Sequence, residues 1–435
     1  MRSVFVPWSV AFAEGERLLD DLSRYTRVDC VELLDFTSQI ERPDRGRPNR
    51  PASRVLPTSG GLEMPLVRRD EFAAALRFMD SARSRGFKVA CNLVPLWLGT
   101  RRLGHSSLVD ANGRRIPGPG DLPTYGCPND PQTLRHAEFM VREVVRAWPD
   151  LDVMELNHME YPNILLWAYP RVDLESLFAC FCGSCERAAR DMGLDFAGMR
   201  RDARSLLELA SHRARGPLVA NADDLVNLFL QRPGLAEWLR FRMDSMSRFT
   251  RALIAAGREA SREHNRGLRL GLQFQLPSMS PLLGTDFSSL SSDLDFLVPK
   301  FFDYLPGSVI PLVARELSSR TGLEEEGLRR TIREAFDLGR GPARYKPCAA
   351  YPKISHTILY SNSFDCSIFG RQMRYLDRLR GRSEIVPAIL ECNRDKAGLR
   401  RKVQALSREG FDGFFLWSWE EGLTSEHLRS LQGIL

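Results

Sequence analysis

The sequence of 435 residues has no long apolar run, few cysteines and no block of like charge. A membrane-spanning helix needs roughly 20 consecutive apolar residues, so the absence of such a run argues against a membrane protein. Arginine dominates the basic residues but is spread along predicted helices, and the net charge of +6 is small for this length. That distribution indicates solvated helix faces rather than a nucleic-acid-binding surface.

Two signals that would place the chain in other protein classes are also missing. No glycine-rich phosphate-binding motif follows the first predicted strand, where Pro7 and Trp8 stand instead, so dinucleotide binding is disfavoured. The N-terminal segment has a short apolar run broken by Pro7, which indicates a strand, with a signal peptide cleaved at Ala11-Phe12-Ala13 as the alternative. We therefore expect a cytoplasmic protein with reduced thiols.

The overall composition is that of a soluble globular protein. Apolar residues make up 43% of the chain and charged residues 27%. A chain of this length can bury a large core, either in one elaborated barrel-sized domain or in two ordinary domains.

Short apolar strands alternate with amphipathic helices along the whole chain. Each predicted strand is nearly continuous in apolar residues, as parallel strands covered on both faces are. The strands are Val4–Trp8, Asp29–Phe36, Lys88–Leu96, Leu151–Glu160, Leu268–Leu276, Leu294–Asp303, Ile385–Cys392 and Gly413–Trp419. Eight alternations favour an α/β fold of the closed (β/α)8 TIM-barrel type over an open doubly wound sheet, which is the alternative.

Helical patterns fall between these strands, except after the fifth strand, where Pro277–Ser292 is serine-rich and loop-like. They are Glu14–Tyr25, Asp70–Arg85, Thr133–Trp148, Asp173–Leu209, Asp223–His264, Val309–Leu338, Phe364–Arg380 and Asp395–Arg408. We predict one barrel domain over residues 1–435, with loop insertions at about 37–66, 99–126 and 304–363. These insertions follow strands, so they lie on the face where barrel enzymes build their sites.

Four cysteines fall in two places between residues 125 and 187. Cys180, Cys182 and Cys185 are spaced C-x-C-x-x-C, and Cys127 begins a turn-like Cys-Pro-Asn-Asp segment. Four thiolates around Zn²⁺ form a closed, structural site, because no position stays open for water. We therefore predict a metal-binding subsite within residues 125–187. The alternatives are cysteines that pack as small buried hydrophobes, and a disulfide.

Acids, amides and indoles collect at the predicted strand ends, where barrel enzymes carry their reactive side chains. Acids and amides hydrogen-bond hydroxyl groups, and indoles offer flat apolar faces to pyranose rings. This composition suits a sugar better than a phosphate or an apolar ligand. The predicted substrate-binding residues are Trp8, Asp35, Asn157, His158, Gln273, Gln275, Lys300, Asp303, Asn393, Trp417, Trp419 and Glu420.

Two glutamates are candidates for catalysis, because Glu160 ends the fourth predicted strand and Glu391 ends the seventh. Hydrolysis of a glycosidic bond needs a protonated acid at the leaving oxygen and a carboxylate that acts as nucleophile or base. We expect the two side chains to face each other across the barrel mouth, with a structural ion pair as the alternative for each. Glu155 is expected in a salt bridge or against a helix, and Glu420 and Glu421 are reserve candidates.

Four further side chains are candidates for more specific roles. Of Trp417 and Trp419, we expect one indole to point inward, as the floor of a sugar subsite or as a core residue. His158 orients Glu160 or binds substrate, or else it is a structural hydrogen-bonding residue. Lys300 can form a Schiff base if it faces the barrel interior.

The stretch from residue 125 to 187 resembles the glycoside hydrolase family forty-two β-galactosidases and related barrel hydrolases. The resemblance is carried by Cys127-Pro128-Asn129-Asp130-Pro131, Glu160-Tyr161 and Cys180-x-Cys182-x-x-Cys185. It implies that Cys127, Cys180, Cys182 and Cys185 bind a structural zinc ion, that Glu160 is the acid/base and that Glu391 is the nucleophile.

The resemblance implies a retaining glycoside hydrolase that cleaves O-glycosidic bonds of a small glycoside or oligosaccharide. Met159 stands where the family has an asparagine that contacts the 2-hydroxyl. This difference favours a divergent relative and leaves a non-catalytic carbohydrate-binding barrel as one alternative. A lyase or isomerase that uses His158 or Lys300 is another. The expected partner is a carbohydrate, without nucleic acid or membrane, and the sequence leaves a homo-oligomer open.

Overall fold

The structure is a computed structural model. It describes residues 1–6, 8–33, 69–98, 107–116, 124–148, 150–162, 174–211, 222–264, 267–302, 310–339, 346–347, 359–360, 366–379, 382–391, 396–418, 428–429 and 431–434.

Eight parallel strands close into a barrel at the centre of the fold. They are β1 (Arg2–Val6), β2 (Cys30–Leu33), β3 (Lys88–Leu93), β4 (Val153–Leu156), β5 (Arg269–Phe274), β6 (Phe296–Phe301), β7 (Ala388–Glu391) and β8 (Phe414–Ser418). Each strand pairs with its neighbour in sequence, and β8 pairs with β1, so the ring is complete. The prediction of a (β/α)8 TIM barrel is confirmed.

Helices follow most of the strands. They are α1 (Trp8–Tyr25), α2 (Arg69–Ser84), α3 (Pro131–Ala147), α4 (Gly183–Asp191), α5 (Phe196–Ser211), α6 (Ala222–Gln231), α7 (Pro233–Glu263), α8 (Ile310–Thr321), α9 (Glu325–Ala335), α10 (Ser367–Met373) and α11 (Lys396–Arg408). Short helical turns span Leu174–Phe178, Phe287–Leu290, Ser291–Asp293 and Asp377–Leu379. None of the described helices is both long and apolar enough to cross a bilayer.

Several predicted boundaries are wrong for local backbone reasons. Trp8 does not end the first strand but opens α1, directly after Pro7. The predicted helix Asp223–His264 divides into α6 and α7 at Pro233, because a proline disfavours helical geometry in the residue before it. The predicted helix Val309–Leu338 divides into α8 and α9 after Gly322, whose φ of +76° ends the first of them.

The predicted insertions are described to different extents. Residues 37–66 lie outside the described part of the chain. Thr124–Tyr125 of the second insertion pairs antiparallel with Trp97–Leu98, which precedes that insertion. The third insertion contains α8, α9 and the pairing of Lys346–Pro347 with Leu359–Tyr360. The division of the chain into domains stays a prediction.

Apolar side chains fill two separate cores. The larger core lies between the strands and the surrounding helices, and a smaller one lies inside the barrel. The inner core includes Phe5, Phe296, Val298, Phe415 and Trp417. Gly271 of β5 leaves the space that the Phe296 ring occupies, since a Cβ at this position would collide with that ring.

Candidate active site and four-cysteine site

The barrel interior has an apolar side and a polar side. On the apolar side, Trp417 of β8 stacks on Phe5 of β1 with ring centroids 4.5 Å apart and an interplanar angle of 6°. Phe302 lies 5.7 Å from the same indole. The polar side comes from β2 to β5 and contains the buried residues Glu32, Asn92, Glu155, Asn157 and Gln273.

Asn157, directly after β4, is the centre of a buried hydrogen-bond network. Lys300 of β6 donates from Nζ to Asn157 Oδ1 at 2.6 Å, and the backbone N–H of His158 donates to the same oxygen at 2.7 Å. Asn157 Nδ2 donates to Asn92 Oδ1 at 3.0 Å. The ammonium of Lys300 therefore faces the barrel interior and is held there by an amide.

Two further glutamates line this network. Gln273 Nε2 donates to Glu155 Oε2 at 3.2 Å, so the expectation of a salt bridge or a helix contact for Glu155 is wrong. Glu32 of β2 is fully buried beside Asn92. Burial raises the pKa of Glu32 to about 8, and burial followed by the charge of Glu32 raises the pKa of Glu155 well above its ordinary value. The carboxyl group of Glu32 therefore tends to hold its proton at neutral pH.

Glu160 lies in the loop after β4, and its side chain is only 1% exposed. Its Oε1 accepts a hydrogen bond from Gln275 Nε2 at 3.0 Å and lies 3.2 Å from His158 Nδ1. The backbone of the loop is also fixed. Tyr125 donates its hydroxyl to the carbonyl of Glu160, and Thr285 Oγ1 donates to the carbonyl of Met159 at 2.9 Å.

Nearby groups keep Glu160 ionised. Burial alone would raise the pKa of Glu160, but the hydrogen bond from His158, the charge of Lys300 and the hydrogen bond from Gln275 together hold that pKa below its ordinary value. Burial, reinforced by the charge of Lys300, lowers the pKa of His158 to about 4, so its ring is neutral at neutral pH. Burial also lowers the pKa of Lys300 to about 8.

The other predicted site residues are placed as follows. Glu391 is the last residue of β7, where its backbone pairs with Ser418, and its side chain lies outside the described part. The same holds for the side chain of Trp8 at the start of α1. Trp417 points into the barrel, where it belongs to the inner core. Five predicted residues lie outside the described part of the chain: Asp35, Asp303, Asn393, Trp419 and Glu420.

The structure brings the four predicted cysteines together. The sulfur atoms of Cys127, Cys180, Cys182 and Cys185 all lie within 4.8 Å of one another, and all four residues are buried. The Cys127 sulfur lies 3.5 Å from the sulfurs of Cys182 and Cys185, and the four thiols are free, so the disulfide alternative is wrong. A tetrahedral Zn²⁺ site requires sulfurs about 3.8 Å apart, and this cluster is compatible with that spacing.

Local structure explains how the two cysteine segments meet. Asp130 caps α3 and Pro131 is its first residue, so the segment from Cys127 is held in a turn in which the Asp130 N–H donates to the Cys127 carbonyl at 3.0 Å. Cys182 is the N-cap of α4, which places Cys185 in the first turn of that helix.

Polar N–H groups point at two of the sulfurs. The backbone N–H of Val109 donates to Cys180 Sγ and Asn129 Nδ2 donates to Cys185 Sγ, each at 3.4 Å. N–H groups placed in this way are the kind of supporting partner that orients ligands at metal sites. The donor set therefore fits a thiolate-bound divalent metal ion.

Arg242 lies near both sites but was not identified as a site residue from the sequence. It lies on α7, is 1% exposed, and packs between the rings of Tyr161 and Trp238 at 4.6 Å and 4.5 Å from their centroids. Its position four residues after Trp238 on a helix was the available signal, since this spacing puts both side chains on one face. Burial lowers the pKa of Arg242 to about 10, so it is charged at neutral pH.

Comparisons with known proteins bear on the fold. No protein-family model and no curated protein sequence matches the chain. The glycoside hydrolase domain of PgaB (BpsB) from Bordetella bronchiseptica is similar in structure, with a TM-score of 0.53 and 14% sequence identity over 100% of this chain and 99% of that domain. A β-galactosidase from Rahnella sp. R3 has a TM-score of 0.41 and 11% identity over 96% of this chain and 64% of its own.

A third solved structure, β-glucosidase 1317, has a TM-score of 0.41 and 12% identity over 93% of this chain and 78% of its own. All three structures are of glycoside hydrolases. The match to the PgaB domain agrees with the closed barrel described above. At this identity the likeness concerns the fold, and the resemblance to family forty-two stays a prediction.

Proposed function

We propose that this protein is a retaining glycoside hydrolase that acts on a small glycoside or oligosaccharide. The observation that carries this proposal is the Glu160 carboxylate after strand β4. It is held by His158 and Gln275 within a barrel whose interior offers an aromatic side and a polar side. A pyranose ring has the same two kinds of surface, a flat apolar face and a rim of hydroxyl groups.

The proposed catalytic pair is Glu160 and Glu391. Both follow barrel strands at their carboxyl ends, where barrel enzymes place catalytic groups. In this proposal Glu160 protonates the leaving oxygen and later activates water, while Glu391 forms the glycosyl–enzyme bond. The network around Glu160 stabilises its carboxylate form, which is the form that the second step needs. A low pKa for the acid implies an acidic pH optimum.

The proposed role of the four-cysteine cluster is to hold a structural Zn²⁺ ion. The donor set of four buried sulfurs, with N–H groups aimed at two of them, supports this assignment. A site closed by four thiolates has no position for substrate. Its contribution would therefore be to fix the chain around Tyr125 and Cys180 rather than to take part in hydrolysis.

A panel of 4-nitrophenyl α- and β-glycosides and short oligosaccharides tests the proposed activity. We expect release of nitrophenol or of a reducing end from at least one member, and NMR of the first product should show retained anomeric configuration. Calorimetric binding of an oligosaccharide without turnover would instead support a carbohydrate-binding barrel. The 1% exposure of the Glu160 side chain favours that second candidate.

Lys300→Met tests the role of Glu160 through the pH profile of kcat/KM. The Lys300 ammonium, which also faces Glu32 and Glu155, lowers the pKa of Glu160, so its removal should raise that pKa. If Glu160 is the acid, activity falls as pH rises through its pKa, and we expect the basic limb to move to higher pH.

The control for this experiment is Lys88→Met, which removes an exposed lysine from the first residue of β3 and should leave both limbs in place. Movement of the acidic limb would assign Glu160 as base or nucleophile. Two unchanged limbs in Lys300→Met would contradict the proposed influence of Lys300 on Glu160.

A further inference from the structure

Arg242 carries a buried positive charge with little local compensation. Its Nη1 donates to two backbone carbonyls, that of Leu177 at 3.2 Å and that of Leu282 at 3.0 Å. Its Nε and Nη2 find no hydrogen-bond acceptor among the described residues. No carboxylate of the described residues forms an ion pair with it. The faces of Tyr161 and Trp238 offer cation–π attraction, which is weaker than a formal negative charge.

A buried charge is costly unless an opposite charge lies close to it. A guanidinium cannot lose its proton to avoid that cost, because its pKa stays far above neutral pH. A nearby anion would therefore lower the free-energy cost of burying the charge of Arg242. The Glu160 carboxylate interacts with Lys300, whereas the groups that act on the charge of Arg242 are Tyr161, Cys180 and Tyr125.

The four-cysteine cluster supplies such an anion. A divalent ion bound by four thiolates carries two excess negative charges. Arg242 interacts electrostatically with Cys180, and the Leu177 carbonyl that it binds lies three residues before Cys180 in the chain. The Val109 and Asn129 donors at the sulfurs are neutral. Arg248 reaches the cluster through Asn129 Oδ1 but is exposed to solvent, so Arg242 is the buried cation near the cluster among the described residues.

We propose that Arg242 is the counter-charge of the four-cysteine site and stabilises a divalent ion in a complete tetrathiolate. This inference rests on the metal binding given under the proposed function. It assigns Arg242 as a residue that positions and stabilises the site through charge without touching the ion. Without Arg242, a buried complex with two excess negative charges would have neutral donors at its sulfurs and the exposed Arg248 beyond Asn129.

Titration with Co²⁺ tests this inference, because tetrahedral Co²⁺–thiolate complexes absorb visible light and zinc can then be measured by competition. We expect Arg242→Met to weaken binding by on the order of 10- to 100-fold, as the loss of supporting partners does at other metal sites. Arg242→Lys keeps the charge and should restore most of the affinity. Arg240→Met removes an exposed arginine from the same helix and should bind like the wild type.

The outcomes separate the two claims. If wild-type protein binds neither Co²⁺ nor zinc, the metal site is wrong, and the inference fails with it. If wild-type protein and a folded Arg242→Met variant bind Co²⁺ equally tightly, the metal site stands and the counter-charge role is wrong. Should Arg242→Met not fold, Arg242→Gln keeps a donor for the carbonyls of Leu177 and Leu282 and carries the same test.

Discussion

Glu160→Gln should lower kcat on the glycoside found in the screen by about 10²- to 10⁴-fold, the usual contribution of a positioned acid or base. Glutamine keeps the size of the side chain and can still interact with His158 and Gln275, but it can neither give nor take the proton. The barrel should therefore stay intact while turnover is lost. Steady-state kinetics and thermal unfolding of the same preparation measure both effects.

Glu391→Gln should show a comparable or greater loss, because no glycosyl–enzyme bond can form without the carboxylate. Glu263→Gln is the matched control, since Glu263 is an exposed residue at the end of α7. Full activity in either Glu160→Gln or Glu391→Gln would remove that residue from the proposed pair. If one variant loses both its activity and its thermal transition, the loss reports misfolding and not chemistry. A crystal structure of whichever of the two variants folds would then show whether its glutamine lies at the barrel mouth.

Cys185→Ser should abolish metal binding and lower the free energy of unfolding by about 4 kcal/mol or more, because binding energy at a structural metal site is folding energy. Cys185 is fully buried at the start of α4, and its sulfur lies 3.5 Å from that of Cys127. Elemental analysis should give one zinc per wild-type chain and almost none for the variant. Chemical denaturation measures the loss of stability.

Cys366→Ser is the control for that experiment, because Cys366 is half-buried and lies outside the cluster. We expect it to keep its metal content and most of its stability. A Cys185→Ser protein that retained one metal ion per chain would show that the other three sulfurs suffice. A wild-type chain free of metal after expression in zinc-supplemented medium would instead support plain hydrophobic packing of the cysteines.

The barrel could be predicted because each of its strands is an apolar run of the right length between helical patterns. The residues at which the strands end could not be predicted, because a polar residue just after a strand fits the same pattern of alternating side chains as the strand itself. The fourth predicted strand ran to Glu160, whereas β4 ends at Leu156 and the chain leaves the sheet at His158. The positive φ of 53° at His158 belongs to that change of direction and has no signal in the sequence.

The sequence also did not predict which side chains of each strand point into the barrel. Strands buried on both faces are apolar on both, so the pattern does not say which residues point into the barrel. Glu32 and Glu155 were therefore missed as interior residues, although an acid within an apolar strand is unusual. The cysteine cluster could be predicted from the sequence, because the spacing of Cys180, Cys182 and Cys185 depends on local chain geometry at the start of one helix.

The hydrogen bond from the Tyr125 hydroxyl to the carbonyl of Glu160 has a practical consequence for protein design. Tyr125 lies two residues before Cys127, and Tyr161, directly after Glu160, packs under Arg242. A designer who grafted the Glu160 loop alone onto another scaffold would leave its backbone unsupported. The transferable module comprises that loop, both cysteine segments and the middle of α7, moved together as one piece.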